Sequence, residues 1–476
     1  MEGPTHHPPG PTGPTGTTGP TETKRTVIRV GSFCSGTEAP LFALREMGIA
    51  VDHVFSSEIN RDALLFMKQN NFPQHLYGDI VHELNLIDVP TVDLFVAGPP
   101  CQSFSILNNN RLNLDKKGQV DDRVLCFARC LEYIELKRPK SAVLENVRPL
   151  ARIWKKSLGQ TVRGWNEESD KFLGAWNERI LPWIQKLRES YHISIDIVSP
   201  TSCNCPHERN RTYIVLTRRD CFSSPFVFPA PIPLTRTYRD LLDPAGFVAP
   251  DIRPLTAYHK KIIALARERY GESWRGGVKN LNVLGKQLKL DTAVRNHSDV
   301  CACMIHSNRT VVFDDGTDPS GDRYLSKREM LIFQGFPEDV KSEGLSNNQL
   351  SNLVGNAMNV SVLKSLFGNL VGELARVVRM GTGGALQANE RGERGKGGKG
   401  GKGGKGGKGG KWGDRSERSE GGARRPSRTR RPRGSASDND HNDRPARSRS
   451  RRLKLKEIHI FMAKVDGKAK LMTFVD

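Results

Sequence analysis

Strands and helices alternate along the first part of the chain, and this alternation limits its fold more than any other feature. Residues 27–33, 51–59, 92–97 and 141–147 are rich in β-branched and other apolar residues. Stretches with helical spacing separate them, such as residues 121–136. Strands that alternate with helices are typical of a mostly parallel sheet. The pattern therefore predicts a doubly wound α/β fold with helices on both faces of the sheet.

Two further strands and then a break are predicted after this region. Residues 192–198 and 212–216 have the composition of strands, and four prolines between residues 225 and 233 interrupt the pattern. Residues 223–322 are therefore expected to form a second, smaller domain. The chain is expected to return to the larger domain through residues 323–380. This returning segment contains two predicted helices, at residues 324–333 and 359–380.

Both ends of the chain have compositions that do not form a hydrophobic core. Residues 1–26 are dominated by Gly, Pro and Thr and predict a disordered leader. Residues 381–452 combine Gly, Ser, Lys and Arg and predict a disordered basic tail. Residues 453–476 alternate around Asp466-Gly467 and predict a short β-hairpin.

The positive charge of the chain is concentrated in this tail. Residues 391–452 hold 21 Lys or Arg and 7 Asp or Glu, which is +14 of a total net charge of +21. Such a segment is expected to contact nucleic-acid phosphates. A solubilising tail without a fixed partner is the alternative.

The chain is predicted to be intracellular, with no membrane partner. Its nine cysteines show no spacing typical of a secreted disulfide framework, and no run of about 18 apolar residues occurs. The first residues lack the basic start and apolar core of a secretory signal. Residues 424–433 and 447–456 are basic and predict import into the nucleus.

Candidate ligand-binding residues follow the first predicted strands. In doubly wound sheets, ligands bind at the carboxyl ends of the strands. Residues 33–38 form a tight turn that opens a helix, whose free amides can hold a carboxylate or phosphate. Glu58 ends the second strand and suits the two hydroxyls of a ribose, and Asp79 offers another acidic acceptor. Taken singly, an acid after a strand is more often a helix cap or a surface charge than a ligand-binding residue.

Cys101 is the candidate nucleophile. It follows the strand at 92–97 and two prolines, Pro99 and Pro100, which stiffen the approach to it. A buried structural cysteine is the alternative. Glu145 ends the next strand, which places a carboxyl group in the same cleft and favours a catalytic role.

Five short motifs occur in an order that resembles one enzyme family. They are Pro-Pro-Cys-Gln at 99–102, Glu-Asn-Val at 145–147, Arg-x-Arg at 209–211, Gln-Gly-Phe-Pro at 334–337 and Gly-Asn-Ala at 355–357. In this order they resemble the motif series of the cytosine-5 DNA methyltransferases. The resemblance implies a Rossmann-like catalytic and cofactor-binding domain at 27–222, to which residues 323–380 return. It also implies a target-recognition domain at 223–322.

The resemblance implies an enzyme that transfers a methyl group from S-adenosylmethionine to carbon 5 of cytosine in double-stranded DNA. Cys101 matches the thiolate that adds to carbon 6. Glu145 matches the residue that contacts ring nitrogen 3, a role for which a raised pKa is useful. Arg211 matches the arginine at the base oxygen, and Arg209 is its catalytic companion. The base must be flipped out of the duplex, with residues 108–121 as a lid.

The same resemblance implies contacts to the methyl donor. It places Phe33 against the adenine, Asp79 on the adenine amine and Glu58 on the ribose. It places Gly36, Thr37 and Asn356 near the methionine portion. The turn at 33–38 has fewer glycines than the family pattern, which leaves its backbone contacts open. The full set of expected cofactor-binding residues is Phe33, Gly36, Thr37, Glu58, Ile59, Asp79, Ile80, Pro99 and Asn356.

Three alternatives remain at this point. Cys203-x-Cys205 and Cys301-x-Cys303, with His207 and His306, suggest zinc, but Cys-x-Cys is not the usual structural spacing and no metal is expected. A branch of the family methylates transfer RNA and usually has Cys-Phe-Thr where this chain has Cys301-Ala302-Cys303. A catalytically silent nucleic-acid-binding protein is the third, and the intact catalytic motifs oppose it.

Overall fold

The computed structural model describes most of the chain before residue 394 and two strands near its end. Beyond Met380 it describes the backbone only. The predicted leader at 1–26, the predicted lid at 108–121 and the basic tail at 391–452 lie largely or wholly outside the described residues. These are 26–101, 122–162, 176–247, 249–270, 277–281, 284, 299–305, 310–313, 321–393, 459–465 and 468–474.

A seven-stranded sheet in the order β3-β2-β1-β4-β5-β7-β6 forms the centre of the fold. Its strands are β1 (Ile28–Phe33), β2 (Val51–Ser57), β3 (His75–Tyr77), β4 (Leu94–Ala97), β5 (Ser141–Val147), β6 (Tyr191–Val198) and β7 (Arg211–Arg218). Strands β1 to β5 pair in parallel, whereas β7 runs antiparallel to both β5 and β6. The mostly parallel sheet predicted from the sequence is confirmed. Strand β3 was not predicted, because three residues carry no periodic pattern.

Helices cover both faces of this sheet, which confirms the doubly wound α/β prediction. Strand β4 shows how the faces are filled: Leu94 and Val96 join the core under α1 and α9, whereas Phe95 and Ala97 join the core under α3. This follows from the two-residue period of a strand. The helices are α1 (Ala39–Glu46), α2 (Arg61–Asn70), α3 (Asp122–Lys137), α4 (Pro149–Ser157), α5 (Leu181–Ser190), α6 (Ala257–Tyr270), α7 (Lys327–Phe333), α8 (Asn347–Asn356) and α9 (Val360–Glu393).

Two predicted helix boundaries are wrong. The helix predicted at 324–333 begins only at Lys327, because Ser326 and Glu329 form a capping box. The Glu329 amide donates to Ser326 Oγ at 3.1 Å, and the Ser326 amide donates to Glu329 Oε2 at 2.8 Å. Helix α9 continues past Met380 to Glu393, so the segment predicted as disordered from residue 381 begins as helix.

A smaller antiparallel sheet has two strands in the region predicted to be the second domain and a third strand just after its predicted end. Its strands are β8 (Gly277–Asn280), β9 (Thr310–Phe313) and β10 (Arg323–Tyr324), in the order β10-β9-β8. Ile262, Ile263 and Ala266 of α6 form a separate core with residues of these strands. The boundaries at 223 and 322, and the role in target recognition, stay predictions.

The hairpin predicted near the end of the chain is confirmed. Strands β11 (His459–Val465) and β12 (Lys468–Phe474) pair antiparallel, with Val465 opposite Lys468. They belong to a compact unit of their own, distinct from the unit that holds the described residues up to Glu393. Among the described residues, no helix combines the length and the apolar character that a membrane span needs.

Candidate functional site

The ends of five parallel strands lie side by side at one edge of the large sheet. The turns that follow β1 to β5 therefore meet at the edge where open α/β sheets bind ligands. Because β7 runs in the opposite direction, its first residue, Arg211, also lies at this edge, opposite Val147. The residue pairs that mark the edge are Tyr77–Ser57, Ser57–Phe33, Phe33–Ala97 and Ala97–Leu144.

The turn that carries Cys101 is fastened to strand β5 by Asn146. This buried side chain donates from Nδ2 to the carbonyl oxygen of Pro99 at 3.0 Å. Its Oδ1 accepts a hydrogen bond from the Val147 amide at 2.9 Å. Both polar groups of Asn146 are thus satisfied, as buried polar groups usually are. The sequence identified the Glu-Asn-Val motif, but not that Asn146 holds the backbone two residues before Cys101.

Cys101 and Glu145 both hold their protons more strongly than free side chains do. Burial raises the pKa of the Cys101 thiol, the charge of Glu145 raises it further, and the nearby arginines only partly offset this. Burial also raises the pKa of Glu145, against the charges of Arg211 and Arg209. The pKa of Glu145 is thus shifted in the direction that is useful for the role that the resemblance implies. Cys101 is therefore a thiol in the resting site, and its proton has to leave when the sulfur attacks.

The two arginines of the 209–211 motif have different partners. Arg211 reaches Glu145, with its Nε 3.3 Å from Glu145 Oε1. Arg209 is buried, and its terminal nitrogens donate to the carbonyl oxygens of Met304, Gly355 and Ala357 at 3.1, 3.0 and 2.8 Å. The prediction that Arg209 is catalytic is therefore corrected, because its donors hold main-chain carbonyls. It positions the turn that contains Asn356.

A segment between the small sheet's strands β8 and β9 forms one wall of the site. The Cys301 amide donates to the Pro206 carbonyl at 2.8 Å, and the Cys301 carbonyl accepts from the Glu208 amide at 2.8 Å. Cys303 Sγ then lies 4.0 Å from Nη1 of Arg209 and from Nη2 of Arg211. The sequence did not predict this contact, because no local pattern links residues 94 positions apart.

His207 is a neutral structural residue in this wall. Burial, with the charges of Arg209 and Arg211, lowers its pKa well below the ordinary value of histidine. Its Nε2 accepts a hydrogen bond from the Met304 amide at 3.3 Å. Among the described residues, no group of three or more His, Cys, Asp and Glu is arranged to hold a metal ion. His306 of the zinc alternative lies outside the described residues.

A pocket opens at the start of α1, just before the Pro99 turn. Four predicted cofactor residues, Phe33, Gly36, Thr37 and Asn356, share it although Asn356 is distant in sequence. Gly98 is also in its lining, and a Cβ atom there would lie 3.1 Å from Cε of Met358. The pocket is lined by residues 32–40, 96–98 and 356–358.

Glu58 links the end of β2 to this turn. Its Oε2 accepts from the Gly36 amide at 2.8 Å, and its Oε1 accepts from the amides of Ile59 and Asn60 at 2.9 and 2.8 Å. An ionised carboxylate has about four acceptor positions, so Glu58 keeps capacity for a ligand hydroxyl. Ile59 is 69% exposed next to it and is free to pack on a ligand.

Asp79 is partly exposed at the end of β3 and resembles Glu58 in its contacts. Its Oδ1 accepts from the amides of Val81 and His82 at 2.7 and 3.2 Å, which closes the turn after β3. Its neighbour Ile80 is only 4% exposed and belongs to the core. The prediction that Ile80 binds the cofactor is therefore corrected for its side chain.

Phe33 and Pro99 are both buried. The Phe33 ring lies among the rings of Phe55, Phe95 and Tyr133 at centroid distances of 5.6, 5.2 and 5.1 Å. Phe33 also lines the pocket, and its contact with an adenine stays a prediction. Pro99 is buried and held by Asn146, outside the lining of the pocket.

The motif at 334–337 organises the helices behind the pocket. Gln334 donates from Nε2 to the Val354 carbonyl at 2.6 Å. Its main-chain carbonyl oxygen accepts a hydrogen bond from the Val360 amide at 2.8 Å. Gly335 has a φ of 76°, and a Cβ there would lie 2.7 Å from the Ser361 nitrogen. These contacts join α7, α8 and α9, and α8 ends at Asn356.

The polar groups of this edge suit the methyl donor that the resemblance implies. Glu58 and Asp79 are carboxylates with acceptor capacity for hydroxyl and amine groups. Glu38 lines the pocket and has a buried oxygen, Oε2, without a hydrogen-bond partner. The positive end of α1 favours a carboxylate. The residues present therefore fit a ligand with a ribose and an amino-acid portion.

Comparison with known proteins agrees with this arrangement. The profile of the C-5 cytosine-specific DNA methylases matches residues 28–372. The Type II methyltransferase M.NgoBI of Neisseria gonorrhoeae is 28% identical over 317 residues, which cover 66% of this chain and 84% of that protein. M.Bsp6I of Bacillus sp. strain RFL6 is 25% identical over 337 residues, 67% of this chain and 90% of that protein. The crystal structure of S. pombe Dnmt2 methyltransferase aligns with a TM-score of 0.48 and 19% identity, over 73% of this chain and 99% of that one.

Because the profile spans most of the chain, the protein belongs to the family of C-5 cytosine-specific DNA methylases. It is an enzyme of the class that methylates carbon 5 of cytosine. The family and the enzyme class predicted from the five motifs are confirmed.

Proposed function

We propose that this methylase acts on double-stranded DNA with S-adenosylmethionine as methyl donor and Cys101 as covalent nucleophile. The observation that carries the proposal is the convergence of Cys101, Glu145 and Arg211 at one edge of the sheet. The pocket at the start of α1 lies at the same edge, and its residues fit the donor. Nucleophile, acid and donor site therefore adjoin one another.

In the proposed reaction, the Cys101 sulfur adds to carbon 6 of a cytosine that has been flipped out of the duplex. The thiol loses its proton as the bond forms. Glu145 donates a proton to ring nitrogen 3, and Arg211 stabilises the charge at the base oxygen. S-adenosylmethionine supplies the methyl group that carbon 5 takes up. Loss of the carbon 5 proton then expels Cys101 as a thiolate, and nitrogen 3 returns its proton to Glu145, which restores the ring and the enzyme.

The Cys101→Ser variant tests this proposal. We expect it to lose methyl transfer to duplex DNA and to form no covalent complex with DNA that contains 5-fluorocytosine. Binding of S-adenosylhomocysteine should be unchanged, because Cys101 is outside the lining of the pocket. Methyl transfer by the variant at the wild-type rate would contradict the mechanism. Methyl transfer by the wild-type protein to purified transfer RNA, but not to duplex DNA, would contradict the proposal that DNA is the substrate.

We also propose that the basic tail contacts nucleic-acid phosphates and directs the protein to the nucleus. The charge of residues 391–452 supports electrostatic binding to the DNA backbone. Deletion of residues 394–452, which leaves α9 whole, should weaken DNA binding and flatten its salt dependence while sparing the chemistry. Imaging the same variant in eukaryotic cells tests nuclear import: an unchanged distribution would contradict that role.

A further inference from the structure

Glu38 is a fully buried carboxylate whose charge is not used by its own helix. It directly precedes α1 and has a φ of 54°, in the left-handed region. That conformation costs a residue with a side chain about 1–2 kcal/mol. No side-chain hydrogen bond from Glu38 caps the helix. The surroundings therefore hold this residue against its local preference, as they often do at functional sites.

The two carboxylate oxygens of Glu38 have different surroundings. Oε1 accepts hydrogen bonds from Ser32 Oγ at 2.7 Å and from Ser56 Oγ, and His53 Nε2 lies 3.4 Å away. Oε2 is equally buried and has no hydrogen-bond partner. Leaving a buried charged acceptor unsatisfied is costly. A cationic donor is the complement that such an oxygen binds best.

Nearby groups of the chain are already committed to other partners. The Gly36 amide donates to Glu58 at 2.8 Å, and the Ser35 amide donates to the Ser57 carbonyl at 3.2 Å. The Leu41 amide donates to the main-chain oxygen of Glu38 at 3.0 Å. A partner for Oε2 can therefore come from a ligand in the pocket that Glu38 lines.

The position of Glu38 suits one end of an amino acid. The positive end of α1 favours a carboxylate, and Glu38 beside it favours an ammonium group. An α-amino acid carries both charges within one small group. Gly36, Thr37 and Asn356, which share this pocket, are the residues that the resemblance assigns to the methionine portion of the donor.

We propose that Glu38 binds the α-ammonium group of the methionine portion of S-adenosylmethionine through Oε2. The inference rests on the proposed use of that donor. It adds a carboxylate to the turn, beyond the residues that the resemblance assigns to the donor.

The experiment pairs a variant with an altered ligand. Full-length wild-type protein and Glu38→Gln are titrated by calorimetry with S-adenosylhomocysteine and with its analogue in which hydrogen replaces the amino group. We expect Glu38→Gln to weaken binding of S-adenosylhomocysteine by about tenfold to a hundredfold, the range of a hydrogen bond to a charged group. Binding of the deaminated analogue should be unchanged or tighter.

Ser56→Ala is the matched control, because it removes a partner of Oε1 and leaves Oε2 intact. Ser56→Ala should weaken the binding of S-adenosylhomocysteine much less than Glu38→Gln does. An equal loss for both ligands in Glu38→Gln would show a structural role and overturn the inference. If that variant does not fold, Glu38→Asp, which keeps the charge at a shorter reach, should still lose affinity selectively for S-adenosylhomocysteine. Failure of the wild-type protein to bind either ligand would instead overturn the proposed donor.

Discussion

Glu145 Oε1 lies 3.3 Å from Nε of Arg211, yet this oxygen makes no well-formed hydrogen bond. The charge of the arginine lowers the cost of ionising Glu145 but does not cancel the effect of burial, and the pKa of Glu145 stays raised. The pair therefore keeps an acid that can hold a proton beside a permanent cation. This combination suits a base that gains electron density when a sulfur adds to it.

Glu145 is expected to control the reactivity of Cys101. Its negative charge raises the pKa of the thiol, so Glu145→Gln should make Cys101 react faster with iodoacetamide at a given pH. Arg211→Met should slow the reaction, because Arg211 lowers the same pKa. Mass spectrometry of the Cys101 peptide between about pH 7 and about pH 10 measures both effects. A shift in the same direction for both variants would contradict the electrostatic explanation.

The raised pKa of Glu145 also predicts how stability depends on pH. A buried group with a raised folded-state pKa stabilises the fold while protonated, and this contribution is lost as pH rises through the folded-state pKa. Glu145→Gln avoids that loss. Urea unfolding should therefore show that the unfolding free energy of the variant rises relative to that of the wild type from about pH 4.5 toward neutral pH. A variant that instead becomes relatively less stable as pH rises would show that the Arg211 pair outweighs burial.

Asn146 is predicted to position Cys101 through the Pro99 carbonyl. Asn146→Ala should cost about 1–3 kcal/mol of unfolding free energy and lower kcat about tenfold or more, with little change in the KM for the methyl donor. Thr212→Val is the control, because Thr212 lies opposite Asn146 on β7 and its Oγ1 donates to the Val147 carbonyl at 3.1 Å, not to Pro99. Equal losses of kcat in both variants would mean that general loosening, not positioning, is responsible.

Arg209 and Arg211 should respond differently to replacement by lysine. A lysine at 209 cannot reach all three carbonyls, so Arg209→Lys should cost about 3 kcal/mol of unfolding free energy. Arg211→Lys should cost less stability and lower kcat/KM more, because Arg211 faces Glu145. Urea unfolding and methyl-transfer assays on the two variants measure this contrast. A larger loss of kcat/KM in Arg209→Lys than in Arg211→Lys would instead support a catalytic role for Arg209.

Gly335 is predicted to tolerate no side chain. In Gly335→Ala the Cβ would lie 2.5 Å from Ser361 Oγ and 2.7 Å from the Ser361 nitrogen, so the backbone itself must move. We expect a loss of about 3 kcal/mol in unfolding free energy. Gly48→Ala is the matched control, since Gly48 has a similar φ of 69° but no atom within 4 Å, and should lose only about 1–2 kcal/mol. Equal losses of unfolding free energy in the two variants would mean that the positive φ, and not the contact with Ser361, causes the destabilisation.

The fold was largely predictable because its information is local. The strand at 141–147 was predicted at its observed bounds, since seven consecutive residues have strand character and both faces are buried. The start of α7 was misplaced because a capping box at Ser326 outweighed the helical pattern before it. Strand β3 is too short and too exposed to leave a periodic signal.

The candidate site was predictable only where a residue follows a strand. Glu58 and Cys101 lie at the predicted edge for that reason, and Glu145 lies near the end of a predicted strand. Asp79 follows β3, a strand that was not predicted. The separate tasks of Arg209 and Arg211 were not predictable, because the sequence does not show which carbonyl oxygens approach each arginine. The contact of Cys303 with both arginines depends on a chain reversal through the small sheet.

The parallel bridge between His207 and Cys301 has a consequence for protein engineering. The segment that forms the small sheet cannot be exchanged on its own, because Cys303 and Met304 lie between β8 and β9 and contact Arg209 and Arg211. In a chimera in which a relative supplies everything between β7 and β10, the segment that contacts Arg209 and Arg211 would also come from the relative. Transplants that retain residues 299–305 of the recipient preserve this wall of the site, and are the ones in which recognition and chemistry can be exchanged separately.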